Sequence, residues 1–343
     1  MSEKKYIIIG WGLAGSTLAW QFYLEGVPCT VYDSRENHCS RVAAGMINPI
    51  VFKRLTKGWK VDILMPYAKG FYSKVEETLG VSLLSNKKIV RVFSSVEEQN
   101  NWASLEGDGR FDAYLNPVDD LDHPHVNAPF GVGKVNSLGN LDINLYLDKS
   151  KEFLSENGVE FINRPFMSKM LDRDEYIYCQ GYKLTMNPFF QHLKLKLAHG
   201  DVLTIKAPDL KYDDILNKNM FVLPLGDDLY RIGSTYNWEM TEPVPTEAGK
   251  NELLERLRSF CSFDFEIVSH EGGIRPTVQD RRPLLGTHPV RKGMHVFNGL
   301  GTKGVSIAPY YANMMFNYLV NNKDLDPEVD INRFKKHFMR NFV

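Results

Sequence analysis

The first residues that could do chemistry are three glycines close to the start of the chain. Gly10, Gly12 and Gly15 have the spacing G-x-G-x-x-G and follow the apolar run Tyr6–Ile9. In this spacing the glycines allow a tight turn, a close approach of backbone to a pyrophosphate, and close packing of helix on strand. The amides of the helix N-terminus then point at the phosphates. The spacing predicts a phosphate cradle that includes Leu13 and Ala14.

The residues after this motif complete a β-α-β unit. Apolar residues recur at helical spacing after Gly15, Gly26 ends the helix, and residues 27–32 read as a second strand that ends at Asp33. A carboxylate there can accept hydrogen bonds from both ribose hydroxyls and would repel a 2′-phosphate, which disfavours NADP. The unit predicts dinucleotide binding and leaves NAD and FAD open. The alternative is a glycine-rich turn in an unrelated α/β protein.

Two later loops could contact the same ligand. Residues 40–49 are small, contain a glycine and end at a proline, so their backbone could lie against a flat ring; the alternative is a plain loop. Residues 298–304 form a second glycine-rich loop, between a short strand at 294–297 and a helix with Pro309 in its first turn. The positive end of that helix suits a ring that gains negative charge on reduction. The alternative is an ordinary connection.

The middle of the chain has a different pattern. Asp142 is expected to cap a helix that extends to residue 157, and a strand follows at 159–161. Residues 194–237 then read as antiparallel strands, and residues 246–260 read as an amphipathic helix. Two of the predicted strands, 195–197 and 202–205, are separate. The pattern indicates a sheet-and-helix module inserted into a dinucleotide-binding one.

Composition excludes several classes of function. The 41 basic and 42 acidic residues give a net charge of −1, which predicts no preference for nucleic acid or an anionic membrane. No apolar run reaches the ~18 residues of a membrane span. The start of the chain leaves no room for a signal peptide, and the four cysteines read as free thiols, so a cytoplasmic location is expected. No metal-ligand spacing is present, and no metal is expected.

Six segments in this order resemble the FAD-dependent D-amino-acid oxidase superfamily, which includes glycine oxidases and sarcosine oxidases. They are "IIIGWGLAGS" with Asp33, "SRVAAGMINP", "YCQG", "FVLPLGDDLYRIGST", "GGIRPTVQDRRPLLG" and "GLGTKGVSIAP". The resemblance implies an α/β fold in which a Rossmann-like FAD-binding domain is interleaved with an α+β substrate domain built on an antiparallel sheet. The FAD-binding domain takes residues 1–50, 136–192 and 266–343. The substrate domain takes residues 51–135 and 193–265.

The resemblance also implies which residues contact FAD. They are expected at the glycine motif, at the end of the second strand, in the two ring-facing loops and beside the third strand. The set comprises Gly10, Gly12, Leu13, Ala14, Gly15, Asp33, Ser34, Arg35, Arg41, Ala44, Gly45, Met46, Phe166, Cys179, Gly181, Gly299, Leu300, Gly301, Thr302, Lys303, Gly304 and Val305.

The substrate residues follow from the same resemblance. Arg275 of "GIRP" matches the arginine that holds a substrate carboxylate over the flavin, and its planar fork suits that task. A structural salt bridge to Asp280 is the alternative. Phe221, Tyr236 and Lys303 are the other expected substrate contacts; Phe221 stands where several amino-acid oxidases have a tyrosine. Because no cysteine lies near Gly273 in the sequence, we predict non-covalent FAD.

The resemblance implies an FAD-dependent enzyme that oxidises the C–N bond of a carboxylate-bearing amine or amino acid. Hydride would pass to flavin N5, water would hydrolyse the imine, and the electron acceptor would be O2 or an unknown molecule. Two segments also resemble the FAD oxidase domain of bifunctional tRNA wobble-uridine enzymes, so a tRNA side-chain oxidase is one alternative. A flavoprotein subunit of a larger dehydrogenase is another. The basic residues Lys53, Arg54, Lys57 and Lys60 could guide an anionic substrate or form a solvated face.

Overall fold

The computed structural model describes residues 4–36, 39–167 and 170–335. Its strands, in chain order, are β1 (Tyr6–Ile9), β2 (Cys29–Tyr32), β3 (Ile50–Val51), β4 (Thr56–Lys57), β5 (Ile89–Val92), β6 (Leu115–Asp119), β7 (Val132–Val135), β8 (Glu160–Ile162), β9 (Glu175–Tyr178), β10 (Lys196–Lys206), β11 (Ile215–Asn217), β12 (Phe221–Gly226), β13 (Leu229–Gly233), β14 (Glu266–Thr277), β15 (Leu284–Thr287) and β16 (Met294–Asn298). Its helices are α1 (Leu13–Leu24), α2 (Cys39–Val42), α3 (Val61–Leu79), α4 (Val96–Ala103), α5 (Ile143–Glu156), α6 (Glu247–Arg258) and α7 (Gly304–Asn321).

A six-stranded sheet has the glycine motif at its centre. Its order is β15-β16-β9-β1-β2-β8, and β1 is parallel to both β2 and β9. The helices α1, α5 and α7 contribute to the main apolar core beside this sheet, which includes Leu18, Tyr146 and Met315. Burial on both faces explains why β1 is almost wholly aliphatic. The carboxyl ends of β1, β2, β9 and β16 carry the segments that the sequence assigned to FAD.

An eight-stranded, mostly antiparallel sheet forms the second layer of the molecule. Its order is β14-β10-β13-β12-β11-β5-β7-β6, and α6 packs on β10. A mixed α/β fold with one largely parallel and one largely antiparallel sheet is therefore confirmed. The exact boundaries between the two domains stay predictions, although β14 pairs within the eight-stranded sheet rather than within the smaller one.

The prediction that 195–197 and 202–205 are two separate strands is wrong, because the structure has a single strand, β10, there. β10 pairs with β14 from Lys196 to Lys206, with one register shift after Thr204. The intervening residues Ala198 and Gly200 are small and buried, so the ladder continues across them without interruption. This long pairing carries Arg275 from the edge of the sheet toward the glycine motif.

The structure also corrects the start of the last helix. α7 begins at Gly304, so Pro309 lies in its second turn and not in the first. The helix begins directly after the glycine loop, where the amide of Ile307 donates to the carbonyl oxygen of Lys303. The second strand begins at Cys29, two residues after its predicted start. Among the described residues, no helix combines the length and apolar character needed to cross a bilayer.

Candidate active site

The glycine motif brings three elements into close contact. A Cβ at Gly15 would overlap the carbonyl oxygen of Gly10, and a Cβ at Gly10 would overlap that of Cys179. Gly10 also has a φ of +115°, which side-chain-bearing residues rarely adopt. These two glycines therefore allow β1, β9 and α1 to approach one another. Gly12 differs, because a Cβ there would face the side chain of Ser40 at 2.9 Å.

One cavity collects most of the predicted site residues, and we call it the flavin cavity. It lies between the N-termini of α1 and α7, neither of which has an acidic residue in its first turn, so their positive ends remain available to an anion. The predicted residues that line it are Gly12, Leu13, Ala14, Ala44, Gly45, Met46, Cys179, Gly181, Phe221, Tyr236, Arg275, Leu300, Gly301, Thr302, Lys303, Gly304 and Val305.

The other predicted cofactor residues lie outside this lining. Asp33 directly follows β2, where its carboxylate accepts hydrogen bonds from the amide of Arg35 at 3.0 Å and the ammonium of Lys151 at 2.9 Å. The hydroxyl of Ser34 accepts from the amide of Glu36. The contact of these residues with a ribose stays a prediction, and Lys151 is a competitor for the same carboxylate.

Three more predicted residues have structural neighbours. Arg41 forms an ion pair with Asp148 on α5, and Phe166 packs edge-on against Tyr32. Gly299 has a φ of +71°, and a Cβ there would lie 2.7 Å from the side chain of Val278. The packing explains why glycine is needed at that position.

Arg275 stands at the inner end of β14 with its guanidinium held by uncharged oxygens. It donates to the hydroxyl of Ser234 at 2.7 Å and to the carbonyl oxygens of Ala198, His199 and Thr235 at 3.3–3.4 Å. Within the described residues it forms no ion pair. Asp280, the alternative partner, instead pairs with Arg333 at 2.8 Å. The positive charge of Arg275 is therefore positioned but not neutralised.

The surroundings of Arg275 make room for the guanidinium. A Cβ at Gly200 would overlap both of its terminal nitrogens, so a glycine is needed on β10. On the other side, the guanidinium lies 4.5 Å from the ring centre of Tyr236. Stacking on an aromatic face fixes the plane of the fork while leaving it cationic.

A buried carboxylate braces the oxygens that hold Arg275. Asp201 is 1% exposed and accepts hydrogen bonds from the amide of Thr246 at 2.8 Å and the hydroxyl of Thr235 at 3.1 Å. A ring nitrogen of His270 lies 2.9 Å from the same carboxylate. Asp201 thus connects β10, β14, the start of α6 and the segment after β13. Sequence analysis did not identify it, because its role depends on contacts between distant segments.

Lys303 lies at the other end of the flavin cavity, directly before α7. Burial lowers the pKa of its ammonium to about 8. The ammonium donates to the carbonyl oxygen of Asn48 at 3.1 Å. It also approaches Gly58 so closely that a Cβ there would lie 2.8 Å from Nζ. Lys303 is therefore a partly buried cation whose one hydrogen bond within the described residues is to a neutral oxygen.

Several lining residues were missed. Ser40 accepts a hydrogen bond from the amide of Leu13 at 3.2 Å, and it could have been found because it opens the segment "SRVAAGMINP". Ser234 and Gly200 become visible only when β10, β13 and β14 are paired. The missed residues are Cys39, Ser40, Val42, Ala43, Asn48, Gly200, Val202, Ser234, Gly273, Pro276 and Asn298.

The position of Cys39 changes the basis for predicting non-covalent FAD. No cysteine is near Gly273 in the sequence, yet the structure places the Cα of Cys39 3.8 Å from a Cβ built on Gly273. Burial raises the pKa of the Cys39 thiol to about 11, so the thiol stays protonated at neutral pH and is a weak nucleophile. Non-covalent attachment stays our prediction for this reason. Acid precipitation tests it, because all flavin should then appear in the supernatant.

Comparison with known proteins identifies the family. Residues 5–317 match the family described as FAD dependent oxidoreductase (DAO). The chain belongs to this family. It is an FAD-dependent oxidoreductase, and the lining fits that cofactor: Gly12 has no side chain beside the N-terminus of α1, two helix N-termini face the cavity, and Ala43, Ala44 and Gly45 form a small-residue wall.

Two curated relatives of this DAO-family chain align with parts of it. The tRNA 5-methylaminomethyl-2-thiouridine biosynthesis bifunctional protein MnmC of Marinobacter nauticus is 26% identical over 211 residues, which are 57% of this chain and 31% of that protein. Glycine oxidase of Geobacillus kaustophilus is 28% identical over 114 residues, which are 32% of this chain and 30% of that protein. The aligned region thus spans about a third of each relative.

Solved structures agree in fold along nearly the whole chain. Glycine oxidase from Bacillus cereus has a TM-score of 0.78 at 15% identity, covering 94% of this chain and 96% of its own. Iminodiacetate oxidase from Chelativorans sp. BNC1 has a TM-score of 0.76 at 17% identity, covering 96% and 98%. At these identities the likeness shows the fold of the DAO family and not the substrate.

Proposed function

We propose that this DAO-family enzyme oxidises the C–N bond of an amine or amino acid that carries a carboxylate. One observation carries the proposal: the cation of Arg275, without an ion-pair partner among the described residues, faces the same cavity as the glycine cradle and the N-terminus of α7. A guanidinium held by neutral oxygens retains its charge for an anionic ligand. The glycine oxidase and iminodiacetate oxidase among its structural relatives are named for carboxylate-bearing amines, which supports this class of substrate.

In this proposal the residues of the chain mainly orient the substrate. Arg275 binds the carboxylate through its fork and so fixes the carbon that bears the amine. Phe221 and Tyr236 line the same cavity and cover the substrate with apolar surface. Holding reactants in a reactive geometry can supply a large part of a rate enhancement. Phe221 offers no hydroxyl to a carboxylate, so Arg275 bears most of that task.

The chemistry needs little acid–base help from the protein. Bound FAD would supply the acceptor for a hydride from the carbon next to the amine nitrogen. The substrate reacts in the form in which its own amine is neutral, because the nitrogen lone pair assists loss of the hydride. Water then hydrolyses the resulting imine. Burial raises the pKa of the Cys39 and Cys179 thiols, so neither is a base at neutral pH. The pKa of Lys303 near 8 leaves that residue mostly cationic at pH 7, which adds attraction for an anion.

The proposal is tested by anaerobic reduction of the bound flavin. Glycine, N-methylglycine and iminodiacetate are compared, each with its uncharged amide, and bleaching of the flavin is followed. We expect the acids to reduce the flavin and the amides to do so poorly. Equal rates for an acid and its amide would contradict a carboxylate-binding role for this site. Repeating the reaction with O2 or with a dye then distinguishes an oxidase from a dehydrogenase.

A second candidate is oxidation of a modified uridine side chain in tRNA. The similarity to the tRNA biosynthesis protein, 26% identity over 211 residues, favours it. The two candidates share the carbon–nitrogen chemistry and differ in what carries the amine. Incubation with tRNA that bears a carboxymethylaminomethyl-uridine, followed by nucleoside analysis, separates them. Loss of the carboxymethyl group would favour the tRNA candidate, while turnover of free amino acids alone would favour the first. Activity only in the presence of a partner protein would favour the dehydrogenase-subunit alternative.

A further inference from the structure

A second and larger cavity lies directly beside the flavin cavity. Its volume is about 780 Å³, and it is formed by the segments 47–65, 277–282 and 299–307, together with residues near the end of the eight-stranded sheet. The two cavities share part of their walls, so they are separated by single residues. The shared residues are Asn48, Tyr236, Leu300, Gly301, Thr302 and Lys303.

The second cavity is cationic, and we refer to it as the cationic cavity. None of its described lining residues is acidic. Seven lysine and arginine residues line it, namely Lys53, Arg54, Lys57, Lys196, Arg281, Arg282 and Lys303. Lys57 pairs with Asp62, and Arg282 lies 3.6 Å from Glu328. The other five form no ion pair within the described part of the chain. The cavity therefore has a surplus of positive charge that its own surroundings do not balance.

Aromatic rings position two of these cations without neutralising them. Arg282 lies 4.3 Å from the ring centre of Trp59, and Lys196 lies 4.5 Å from that of Trp238. A ring face attracts a cation but carries no net charge, so the charge of Lys196, which has no ion-pair partner among the described residues, stays available to a ligand. Arg282 shares its charge with Glu328. Trp238 and Tyr236 are themselves about half exposed, at 49% and 53%, and their ring centres are 6.4 Å apart. Two half-exposed aromatic rings, inclined to each other by 34°, thus adjoin the cations.

We propose that the cationic cavity binds a phosphate group on the part of the substrate that extends beyond the flavin cavity. The inference rests on the proposed function for the site next to it, where Arg275 already provides for the carboxylate. A second carboxylate would need only one more cation. Several unbalanced cations around one space instead match the higher charge of a phosphate monoester, or the summed charge of several linked phosphates. The adjoining rings of Trp238 and Tyr236 suit a planar group bonded to that phosphate.

Calorimetric titration of the FAD-loaded protein tests this without turnover. Because FAD already fills its own phosphate cradle, the probes report on a different site. The probes are inorganic phosphate, uridine 5′-monophosphate and a decauridylate, each at the same ionic strength. The double variant Lys196→Glu/Arg281→Glu reverses two exposed cations of the cavity, and Lys69→Glu/Lys74→Glu reverses two exposed lysines on α3 as a matched control.

We expect the cavity variant to bind uridine 5′-monophosphate at least about tenfold more weakly, and the control to bind like the wild type. Much tighter binding of decauridylate than of the mononucleotide would identify nucleic acid as the source of the phosphate, and equal binding a small phosphorylated molecule. Absence of binding by all three probes would overturn the proposal. So would equal weakening in both variants. Flavin content and thermal unfolding verify that each variant is folded, and flavin reduction by simple amines tests the proposed function separately.

Discussion

The flavin cavity and the cationic cavity use positive charge in opposite ways. In the first, Arg275 is held by four hydrogen bonds to neutral oxygens and by the ring of Tyr236. In the second, seven exposed or partly exposed lysines and arginines come from several segments, and five of them form no ion pair within the described part of the chain. The flavin cavity thus fixes the guanidinium of Arg275, with Lys303 as its other cation, whereas the cationic cavity gathers several cations with fewer fixed contacts.

The difference shows what each arrangement is suited to do. A fixed fork specifies the direction from which a carboxylate must approach, and direction matters where a C–H bond must face an acceptor. Several exposed cations without ion-pair partners specify mainly the sign of the charge, and they increase the rate and strength of capture without fixing geometry. The contrast between fixed and surplus charge can be tested at four positions.

The largest effect is expected where the cofactor itself is held. Gly12→Val should abolish FAD binding, because its side chain would enter the phosphate space and press on Ser40, which is 2.9 Å from a Cβ at this position. The absorbance of purified protein at flavin wavelengths measures the loss. Gly70→Val is the matched control, because a Cβ at Gly70 meets nothing within 4 Å. Full flavin content in Gly12→Val would show that the cradle lies elsewhere.

Removing the fixed cation should have the next largest effect. Arg275→Ala should weaken binding of a carboxylated amine by about 2–5 kcal/mol, or roughly 30- to 4000-fold, because the carboxylate loses its partner in a partly dry site. Arg275→Lys retains the charge but loses the fork, so its loss should be smaller. Both variants should retain their flavin. If Arg275→Ala prefers the acid over its amide as strongly as the wild type does, the fixed charge is not the carboxylate site.

Loosening the fixed cation without removing it should have a smaller effect. Asp201→Asn keeps the shape but weakens the bracing of Thr235 and β10, so we expect the preference for acid over amide to fall about fivefold, or ~1 kcal/mol. The KM for the acid should rise while that for the amide stays constant. A merely structural role would change both substrates equally, and that result would contradict positioning by Asp201.

The last effect concerns protein stability, at the cation that lines both cavities. Burial lowers the pKa of Lys303 from 10.5 to about 8, so between these values the folded chain has released a proton that the unfolded chain still binds. The contribution of Lys303 to stability should therefore rise with pH across this window, by about 1 kcal/mol per pH unit, and stay constant below it. Thermal unfolding of wild type and Lys303→Met from pH 7 to 10 measures the difference. Parallel curves would contradict a lowered pKa, and Lys69→Met is the exposed control.

The sequence predicted the parts of the site that depend on local chain geometry. The glycine spacing, the strand before it and the helix after it lie within 24 residues, so periodicity and turn chemistry identify them directly. The loop before α7 is also local, and its residues line the flavin cavity as expected. Arg275 was found through its resemblance to a family motif, because nothing in its neighbouring residues indicates a ligand.

The parts that were missed depend on distant segments meeting. The positioning role of Asp201 depends on contacts with Thr235, Thr246 and His270, which lie on three other segments. The cationic cavity shows the same limit. A net charge of −1 predicted no electrostatic preference, since a total charge contains no information about where charges gather. Lys53, Lys196 and Arg281 are far apart in sequence and adjacent only in the folded chain.

The shared wall between the cavities has a consequence for how such an enzyme can diversify. Replacing a residue such as Lys303 or Thr302 alters both cavities at once, so few substitutions there leave the oxidation step intact. The cations at 53–54 and 281–282 line the cationic cavity alone. A related enzyme with different residues in these segments could therefore bind a substrate with a different distal group, while Arg275 continues to hold the carboxylate. Recognition of the distal part of the substrate can thus change in evolution while the oxidation of the C–N bond is retained.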